Sequence, residues 1–349
     1  MKASVVGVSG INATDNPGPG CGVARSLSEA SAYSSVIGLS YDVNDPGNYI
    51  PNLFSNSFLM QYPSNGWESM RASLVDVQNK TGLNLLIPCL DIELPLMIKY
   101  QDQLTAMGIK TLLPNEEQFN LRAKDLLPEL AKRIGCKYPK TKVANSIDEL
   151  VEILKKDIQF PAAIKGKYYS SYIVYNLETA ILKATEIIAQ WGYPILVQEK
   201  IEEKEVNTIA LSNYEGELKG SVSIKKQLTT ALGKIWTAVT IRDERLVRIC
   251  DNFAREVKWK GPFELECMID GNQDVYLIEI NPRFPSWVYC ATAVGINLPQ
   301  MLLQIVEQQD CKSQFEYPVG KLFVRYPTEF VTDLQEFQNL ISHKNRNRS

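Results

Sequence analysis

Residues 261–284, GPFELECMIDGNQDVYLIEINPRF, contain two extended runs, 263–269 and 275–281, joined by the turn-forming residues 270–274. Two short apolar runs separated by glycine, asparagine and aspartate predict a β-hairpin. The residues around its acidic positions are mostly apolar, and an unpaired buried carboxylate is costly. We therefore interpret these carboxylates as ligands of a binding site rather than as solvent-exposed side chains of an ordinary surface hairpin.

The hairpin carries three candidate oxygen ligands. Side chains alternate along a strand, so Glu279 and Asn281 share one face about 7 Å apart. Glu266 can lie across from them with Cβ atoms roughly 5 Å away, and Glu264, with the same strand parity, is the alternative first ligand. Carboxylate and amide oxygens suit Mg²⁺, which leaves its other positions to phosphates and water. Arg283 follows directly and can bind a phosphate through two hydrogen bonds.

Composition excludes several classes of function. The chain has 349 residues, a net charge of −3 and a single histidine, His343. A histidine-based catalytic triad and a histidine-ligated zinc site are therefore excluded, whereas phosphoryl transfer needs neither. The charge gives no reason to expect nucleic acid or an anionic membrane as a partner. No apolar run is long enough to span a bilayer, and seven scattered cysteines without a CxxC pair favour a reducing, cytoplasmic location.

The first third of the chain alternates strands with helices. Strands are predicted at 2–9, 35–41, 83–89 and 109–113, and helices at 25–32, 66–80 and 94–107. This order predicts a doubly wound parallel sheet that ends near residue 115. Ligands bind at the carboxyl edge of such a sheet. The candidate substrate residues there are Gly20, Cys21 and Gly22 in a glycine-rich loop, and Asp91 and Glu93 after a strand.

The remaining chain mixes helices and strands. Helices are predicted at 119–134, 146–156, 177–191, 244–258 and 297–308, and strands at 160–165, 194–200, 206–212, 218–226 and 235–241. Lys165 ends an apolar strand, where it can reach a phosphate or simply solvent. Lys124 and Lys226 can likewise reach either a phosphate or solvent. Trp287, just beyond the hairpin, is either an acceptor-pocket residue or a buried aromatic.

Taken in order, these segments resemble the ATP-grasp superfamily of carboxylate–amine ligases, in particular the branch with carbamoyl-phosphate synthetase and biotin carboxylase. The motif GPFELE…YLIEINPRF resembles the metal hairpin of that family and implies Glu266, Glu279 and Asn281 as ligands. FPAAIK resembles the strand whose final lysine, here Lys165, contacts ATP phosphate. LVQEKIEEKEVN resembles the adenine hinge and ribose carboxylate. The ATP-binding residues that the resemblance implies are Lys124, Lys165, Gln198, Glu199, Ile201 and Glu205. Lys226, at the end of the strand GSVSIKK, is a further candidate for ATP binding.

The resemblance implies a fold class and a domain order. An N-terminal doubly wound parallel-sheet domain (1–115) is expected to precede an ATP-grasp fold of two α+β subdomains, a small one with a linker helix (116–192) and a C-terminal one with the metal site (193–349). The segment after Lys165, GKYYSSY, is poor in glycine compared with the phosphate lid of many relatives. The absence of an MKM biotinylation motif argues against biotin carboxylation.

The implied activity is an ATP-dependent ligation. ATP and Mg²⁺, with Mn²⁺ as a substitute, would activate a substrate carboxylate as an acyl phosphate, and Arg283 and Lys165 would serve as catalytic residues. An amine would then displace the phosphate. The expected partners are a small-molecule carboxylate and an amine, with a peptide or carrier-bound acceptor as an alternative, and a homodimer is implied by the family alone. The competing hypothesis is a nucleotide-binding regulatory or scaffold protein with the same fold and no turnover.

Overall fold

We analysed a computed structural model of the chain, which describes residues 4–30, 35–167, 170–202, 204–343 and 345–347. The chain divides into two compact units. Unit 1 comprises residues 1–120, 207–265 and 280–349, and unit 2 comprises 121–206 and 266–279. Within the predicted hairpin, residues 266–279 belong to unit 2, and the residues on both sides of them belong to unit 1. Each unit is described separately.

Unit 1 begins with a mainly parallel sheet, as the βαβ rhythm predicted. Its order is β15-β3-β2-β1-β4, in which β1 pairs in parallel with β2 and β4, β2 pairs in parallel with β3, and β15 is antiparallel. The strands are β1 (Val5–Val8), β2 (Ser35–Ser40), β3 (Asn56–Leu59), β4 (Leu85–Ile87) and β15 (Asn345–Asn347). The helices of this part are α1 (Pro19–Ser28), α2 (Trp67–Thr81), α3 (Leu94–Lys99), α4 (Gln101–Ala106) and α5 (Glu116–Asn120).

A second sheet has six strands in the order β13-β12-β9-β10-β11-β14. These strands are β9 (Lys204–Ser212), β10 (Leu218–Thr229), β11 (Ile235–Ile241), β12 (Gly261–Ile269), β13 (Val275–Asn281) and β14 (Leu322–Val324). The later helices of unit 1 are α9 (Glu244–Val257), α10 (Val288–Ala293), α11 (Leu298–Val306) and α12 (Leu334–His343). One buried apolar cluster joins side chains of β1, β4, α1, β9, β10 and α11, and therefore gives unit 1 a shared core.

Unit 2 contains a four-stranded sheet in the order β5-β8-β6-β7, with all three pairings antiparallel. Its strands are β5 (Thr141–Ala144), β6 (Ala162–Gly166), β7 (Ser171–Val174) and β8 (Ile195–Glu199), and its helices are α6 (Leu127–Ile134), α7 (Ile147–Lys156) and α8 (Leu177–Trp191). A separate apolar core includes Leu150, Ile164, Ala184 and Val197. Antiparallel pairing with helices packed on the sheet makes this unit α+β, as predicted.

The predicted hairpin turn is present. The Asp270 carboxylate accepts hydrogen bonds from the backbone N–H groups of Asn272 (3.0 Å) and Asp274 (2.8 Å), and the Asp270 N–H donates to the carbonyl of Asp274. An aspartate that binds the backbone two residues ahead is a common device for closing a turn. The turn chemistry of the sequence thus fixes the point at which β12 reverses into β13.

Four predicted elements differ from the structure. The helix predicted over 94–107 is divided at Tyr100 into α3 and α4. The first helix begins at Pro19, not at Arg25, because proline suits the first helical position, and it therefore includes Gly20 and Gly22. The helix predicted over 119–134 is two helices, and Lys124 lies in the turn between α5 and α6. Residues 109–113 form no strand, and a single bridge joins Lys110 to Leu85.

Candidate active site

Lys165 lies near the end of β6 in unit 2. It is the centre of a cluster of charged side chains. Burial, together with a smaller effect of the neighbouring charge of Lys124, lowers the pKa of its ammonium group to about 8. The carboxylates of Glu279 and Glu266 act in the opposite direction. Two lysines and two hairpin carboxylates therefore share one electrostatic environment, as expected for a site that binds both phosphate and a cation.

The ammonium group of Lys124 is held by the strand that carries Lys165. Its Nζ donates to the carbonyl oxygen of Gly166 at 3.2 Å. Burial lowers the pKa of Lys124, while Glu279 opposes that shift. The turn before α6 thus brings the Lys124 charge to the end of β6. Tyr168 and Tyr169 of the adjoining glycine-poor segment lie outside the described residues.

The two glutamates differ in exposure. Glu279 is exposed, and Glu266 is half-buried, although Ile280 beside Glu279 is buried as the sequence pattern suggested. The expectation that apolar flanks would bury the carboxylates is therefore only partly correct. Because a strand presents consecutive side chains to opposite faces, a buried neighbour does not make a carboxylate buried.

The hinge residues lie on β8 and just beyond it. Gln198 is buried, and its Nε2 donates to Thr141 Oγ1 at 2.9 Å. The Glu199 carboxylate accepts from the backbone N–H of Lys140 at 2.6 Å, and its own N–H donates to the Lys140 carbonyl. Ile201 is half-buried in the following loop, and Glu205 is half-buried on β9.

Tyr138 is a candidate site residue that the sequence reasoning missed. Burial raises the pKa of its hydroxyl group, which is hydrogen-bonded to Gln198 and Thr141 and lies within the field of Glu279. The hydroxyl is also 3.5 Å from the carbonyl oxygen of Lys124. Nothing in the local sequence, CKYPKT, sets this aromatic apart from a packing residue.

In unit 1, Glu264 is the centre of a hydrogen-bond network. Its side chain is 3% exposed, and its Oε1 accepts from Asn207 Nδ2 at 2.7 Å and from Trp287 Nε1 at 2.6 Å. Its Oε2 accepts from Asn281 Nδ2 at 2.8 Å. The predicted ligand Asn281 is therefore oriented by the alternative ligand Glu264, and the choice between Glu264 and Glu266 stays open.

Trp287 is 1% exposed and donates its only polar hydrogen to Glu264. We expect Trp287→Phe to lower the free energy of unfolding by about 1–3 kcal/mol, because the buried carboxylate loses a donor. Urea unfolding of the full chain measures this loss. The matched control is Trp191→Phe, since Trp191 is 47% exposed. Equal stability of the two variants would contradict the role assigned to the indole N–H.

Arg283 is paired with Asp91. The Asp91 Oδ2 accepts from Arg283 Nη2 at 2.7 Å and from Nε at 3.1 Å. Burial lowers the pKa of the guanidinium group, but the charge and hydrogen bonds of Asp91, with smaller effects of Glu264 and Cys89, together raise it. Two predicted residues, one catalytic and one for substrate, thus come together at the carboxyl end of β4. A substrate carboxylate that binds Arg283 has to share it with Asp91 or displace Asp91.

Glu93 is 1% exposed and fully engaged within the protein. Its Oε1 accepts from Ser9 Oγ and from the backbone N–H groups of Cys89 (2.8 Å) and Leu90 (2.9 Å), and its Oε2 accepts from Tyr41 OH at 2.5 Å. Burial raises the pKa of Glu93, and these hydrogen bonds lower it. The carboxylate therefore joins β1, β2 and β4 at the sheet edge.

The glycine-rich loop packs closely against the sheet. The Gly20 N–H donates to the Gly10 carbonyl, and a Cβ at Gly20 would lie 1.9 Å from the Ser9 carbonyl oxygen. A Cβ at Gly22 would lie 2.8 Å from Val288 Cγ1. Burial, with a smaller contribution from Asp45, raises the pKa of Cys21 to about 12, so this thiol is protonated at neutral pH.

Lys225 and Lys226 are both half-buried on β10, so exposure does not separate them. Lys226 is paired in register with Ala238, and a β-bulge follows it. The two lysines are consecutive on the strand and therefore lie on opposite faces of β10.

The residue types of the predicted metal site fit a hard cation. Within the described part of the chain, no three His, Cys, Asp or Glu side chains are placed to hold a metal. The predicted set has two carboxylates and one amide, and Mg²⁺ commonly binds to one or two carboxylates together with substrate phosphates. Both glutamates favour the charged form of Lys165, since the charge of each raises its pKa.

Among the described helices, none has the length and apolar character to cross a bilayer.

The sequence profile of a family described as "ATP-grasp in the biosynthetic pathway with Ter operon" matches residues 193–330. No curated protein matches the chain.

Solved structures share the fold at low sequence identity. Biotin carboxylase from Campylobacter jejuni is 16% identical, with a TM-score of 0.68 over 89% of this chain and 72% of that chain. N5-carboxyaminoimidazole synthetase from Staphylococcus aureus is 14% identical, with a TM-score of 0.65 over 89% and 78%. L-amino acid ligase from Bacillus licheniformis is 14% identical, with a TM-score of 0.63 over 88% and 75%. The chain therefore has the ATP-grasp fold, and the fold that the motif resemblance implied is confirmed.

Proposed function

We propose that this protein is an ATP-dependent ligase that activates a substrate carboxylate and joins it to an amine. The observation that carries the proposal is the cluster in unit 2, where Lys165, with a pKa lowered to about 8, shares its surroundings with Lys124, Glu266 and Glu279. Cationic side chains beside oxygen ligands are the components that phosphoryl transfer requires.

Proteins of the same fold support this assignment by their ligands. The Campylobacter jejuni biotin carboxylase was solved as a complex with β-γ-ATP, and the biotin carboxylase domain of a Hydrogenobacter thermophilus carboxylase was solved with MgADP and bicarbonate. The Staphylococcus aureus synthetase was solved with ADP. We extend nucleotide binding from these proteins to this chain because Lys124, Lys165, Gln198 and Glu199 occupy the motifs that the sequence resemblance assigned to ATP.

Each group of residues has a proposed role. Gln198, Glu199, Ile201 and Glu205 would bind adenine and ribose, and Lys124, Lys165 and Lys226 would bind phosphates. Glu266 or its alternative Glu264, together with Glu279 and Asn281, would hold Mg²⁺ or Mn²⁺, which supplies neutralising charge to the phosphate oxygens. The protein contributes positioning and fixed charge rather than a covalent intermediate of its own.

The proposed reaction has two steps. A substrate carboxylate oxygen attacks the γ-phosphorus of ATP, the bond from that phosphorus to the β,γ-bridging oxygen breaks, and ADP leaves. An amine nitrogen then attacks the acyl carbon, loses a proton and displaces inorganic phosphate. Arg283 would stabilise the negative charge on the acyl phosphate, and Asp91 would orient the guanidinium group. Gly20, Cys21, Gly22, Glu93 and Trp287 would shape the substrate pocket.

Further assignments follow from the family resemblance and are proposed with it. They are the division into domains at 1–115, 116–192 and 193–349, a cytoplasmic location and a homodimer. The substrates would be small molecules, with a peptide or carrier-bound acceptor as the alternative.

The proposal is tested by measuring ADP release from the purified chain with ATP and Mg²⁺. We expect slow release alone and at least tenfold faster release with some member of a panel of amino acids and small carboxylates. A coupled assay for ADP and a separate assay for phosphate should give equal amounts. Nucleotide binding without any stimulated release would instead favour a regulatory protein with the same fold. Stimulation only by a peptide or carrier protein would identify the alternative acceptor.

A further inference from the structure

Arg325 lies directly after β14 in unit 1 and is half-buried. Its Nε donates to the carbonyl oxygen of Ile235 at 3.0 Å, and its Nη2 donates to Ser286 Oγ at 2.8 Å. The guanidinium carbon is 5.2 Å from the centre of the Phe323 ring. These contacts fix the plane of the guanidinium group, but both oxygen acceptors are neutral.

The charge of Arg325 has no carboxylate partner within the described ranges of the chain. Burial alone lowers the pKa of Arg325, to about 10, with no acidic group opposing it. Two other half-buried arginines of unit 1 are different, since Arg283 pairs with Asp91 and Arg245 with Asp243. A guanidinium group stays protonated at pH 7, and a partly desolvated charge without a counter-charge is unfavourable. An incoming anion would remove that cost.

Ser286 supplies a second donor at the same place. Its Oγ accepts hydrogen bonds from Arg325 Nη2 at 2.8 Å and from Asn16 Nδ2 at 3.1 Å. A serine hydroxyl group has two acceptor lone pairs and one hydrogen. Both lone pairs of Ser286 Oγ accept hydrogen bonds. Its hydroxyl hydrogen can therefore be donated to an acceptor beside the guanidinium group of Arg325.

The loop that carries Asn16 is firmly held. The Gly18 N–H donates to the Asn12 carbonyl at 2.7 Å, Ala13 and Pro17 form a β-bridge, and Thr230 Oγ1 donates to Asp15. Asn16 itself is 7% exposed. A binding group that is fixed before the ligand arrives costs little ordering entropy, so this arrangement suits a specificity pocket.

We propose that Arg325 and Ser286, oriented by Asn16, form a subsite for a carboxylate group of the substrate. One guanidinium group with an adjacent hydroxyl matches the single charge and planar pair of oxygens of a carboxylate. A phosphate dianion would call for more positive charge than this pair supplies. The inference rests on the proposed function and narrows its substrates to molecules that carry a carboxylate in addition to the groups that react, a class that includes amino acids.

The test measures carboxylate binding by isothermal titration calorimetry on the full chain without nucleotide. The probes are L-amino acids, their primary amides, succinate and inorganic phosphate. The variants are Arg325→Gln and Ser286→Ala, and the control is Arg242→Gln, which removes an arginine of the same unit that is already paired. We expect at least one carboxylate probe to bind to the wild type. Arg325→Gln should weaken that binding about 10–100-fold, and Ser286→Ala about 5–10-fold.

The amide of the bound probe should bind at least tenfold more weakly than the probe itself, and Arg242→Gln should behave as wild type. Failure of every carboxylate probe to bind to the wild type would overturn the proposal, as would unchanged affinity in Arg325→Gln and Ser286→Ala. Binding of phosphate alone, lost in Arg325→Gln, would overturn the choice of carboxylate. Because no nucleotide is present, a result here is independent of ADP release. Carboxylate binding without ADP release would support the proposed subsite and contradict the proposed ligase activity.

Discussion

Glu279→Gln is expected to abolish Mg²⁺-dependent ADP release, with a loss of about 10³-fold or more in kcat. The substitution keeps the shape of the side chain but removes the charge that would hold the cation, and a metal at phosphoryl oxygens contributes several kcal/mol to transition-state stabilisation. The loss also removes one of two carboxylates that face Lys165. The measurement is steady-state ADP release over a range of Mg²⁺ concentrations.

Asp274→Asn is the matched control for this variant. Asp274 lies on the same hairpin, at the turn, where it pairs with Lys137 on the surface. A surface ion pair contributes little, so Asp274→Asn should retain near-normal turnover. Near-normal turnover by Glu279→Gln would contradict the ligand assignment.

The same assay decides between the two candidates for the first ligand. If Glu266 is the ligand, Glu266→Gln should lose turnover as Glu279→Gln does, whereas Glu264→Gln should chiefly lower thermal stability by disturbing its three side-chain donors. The reverse pattern, with stability kept and Mg²⁺ dependence lost in Glu264→Gln, would assign the role to Glu264.

Lys165→Met is expected to weaken nucleotide binding and to reduce kcat/KM for ATP by about 10²–10³-fold. A charge-assisted hydrogen bond to phosphate contributes roughly 1.5–3 kcal/mol to binding, and more when it strengthens in the transition state. Lys167→Met is the control, because Lys167 is exposed two residues further along. Equal kcat/KM for the two variants would contradict the role of Lys165.

The pKa of Lys165 also predicts a pH dependence. Burial lowers this pKa to about 8, so the free protein loses the charge of Lys165 as the pH rises through 8. A bound phosphate favours the charged form and raises the pKa again, so binding must take up a proton above pH 8. Nucleotide affinity should therefore fall by up to tenfold per pH unit above about pH 8. Lys165→Arg keeps its charge and should not show this fall.

Local patterns predicted the hairpin well. Asp270 and the glycine after it specify the turn, and the alternation on both sides specifies two strands, so β12 and β13 follow from short-range chemistry. The helix cap at Ser146 was equally readable, and its side chain accepts from the backbone N–H of Glu149. These features depend on residues a few positions apart in sequence.

Long-range features could not be predicted in the same way. Tyr138 approaches Gln198 and Lys124 only after β5 and β8 have paired. Glu264 differs from Glu266 because Asn207, Asn281 and Trp287 converge on it from three separate positions in the chain. Nothing in the sequence around Arg325 indicates a half-buried cation without a carboxylate partner. Each of these depends on contacts between distant residues, which a sequence pattern does not record.

The central claim is that hairpin carboxylates and Lys165 bind a nucleotide together with a divalent cation. The most direct measurement is calorimetric titration of the wild type and Glu279→Gln with a non-hydrolysable ATP analogue, with and without Mg²⁺. The account predicts at least tenfold tighter binding with Mg²⁺ for the wild type and no effect of Mg²⁺ for Glu279→Gln. Equal strengthening by Mg²⁺ in both proteins, or no nucleotide binding by the wild type, would contradict it.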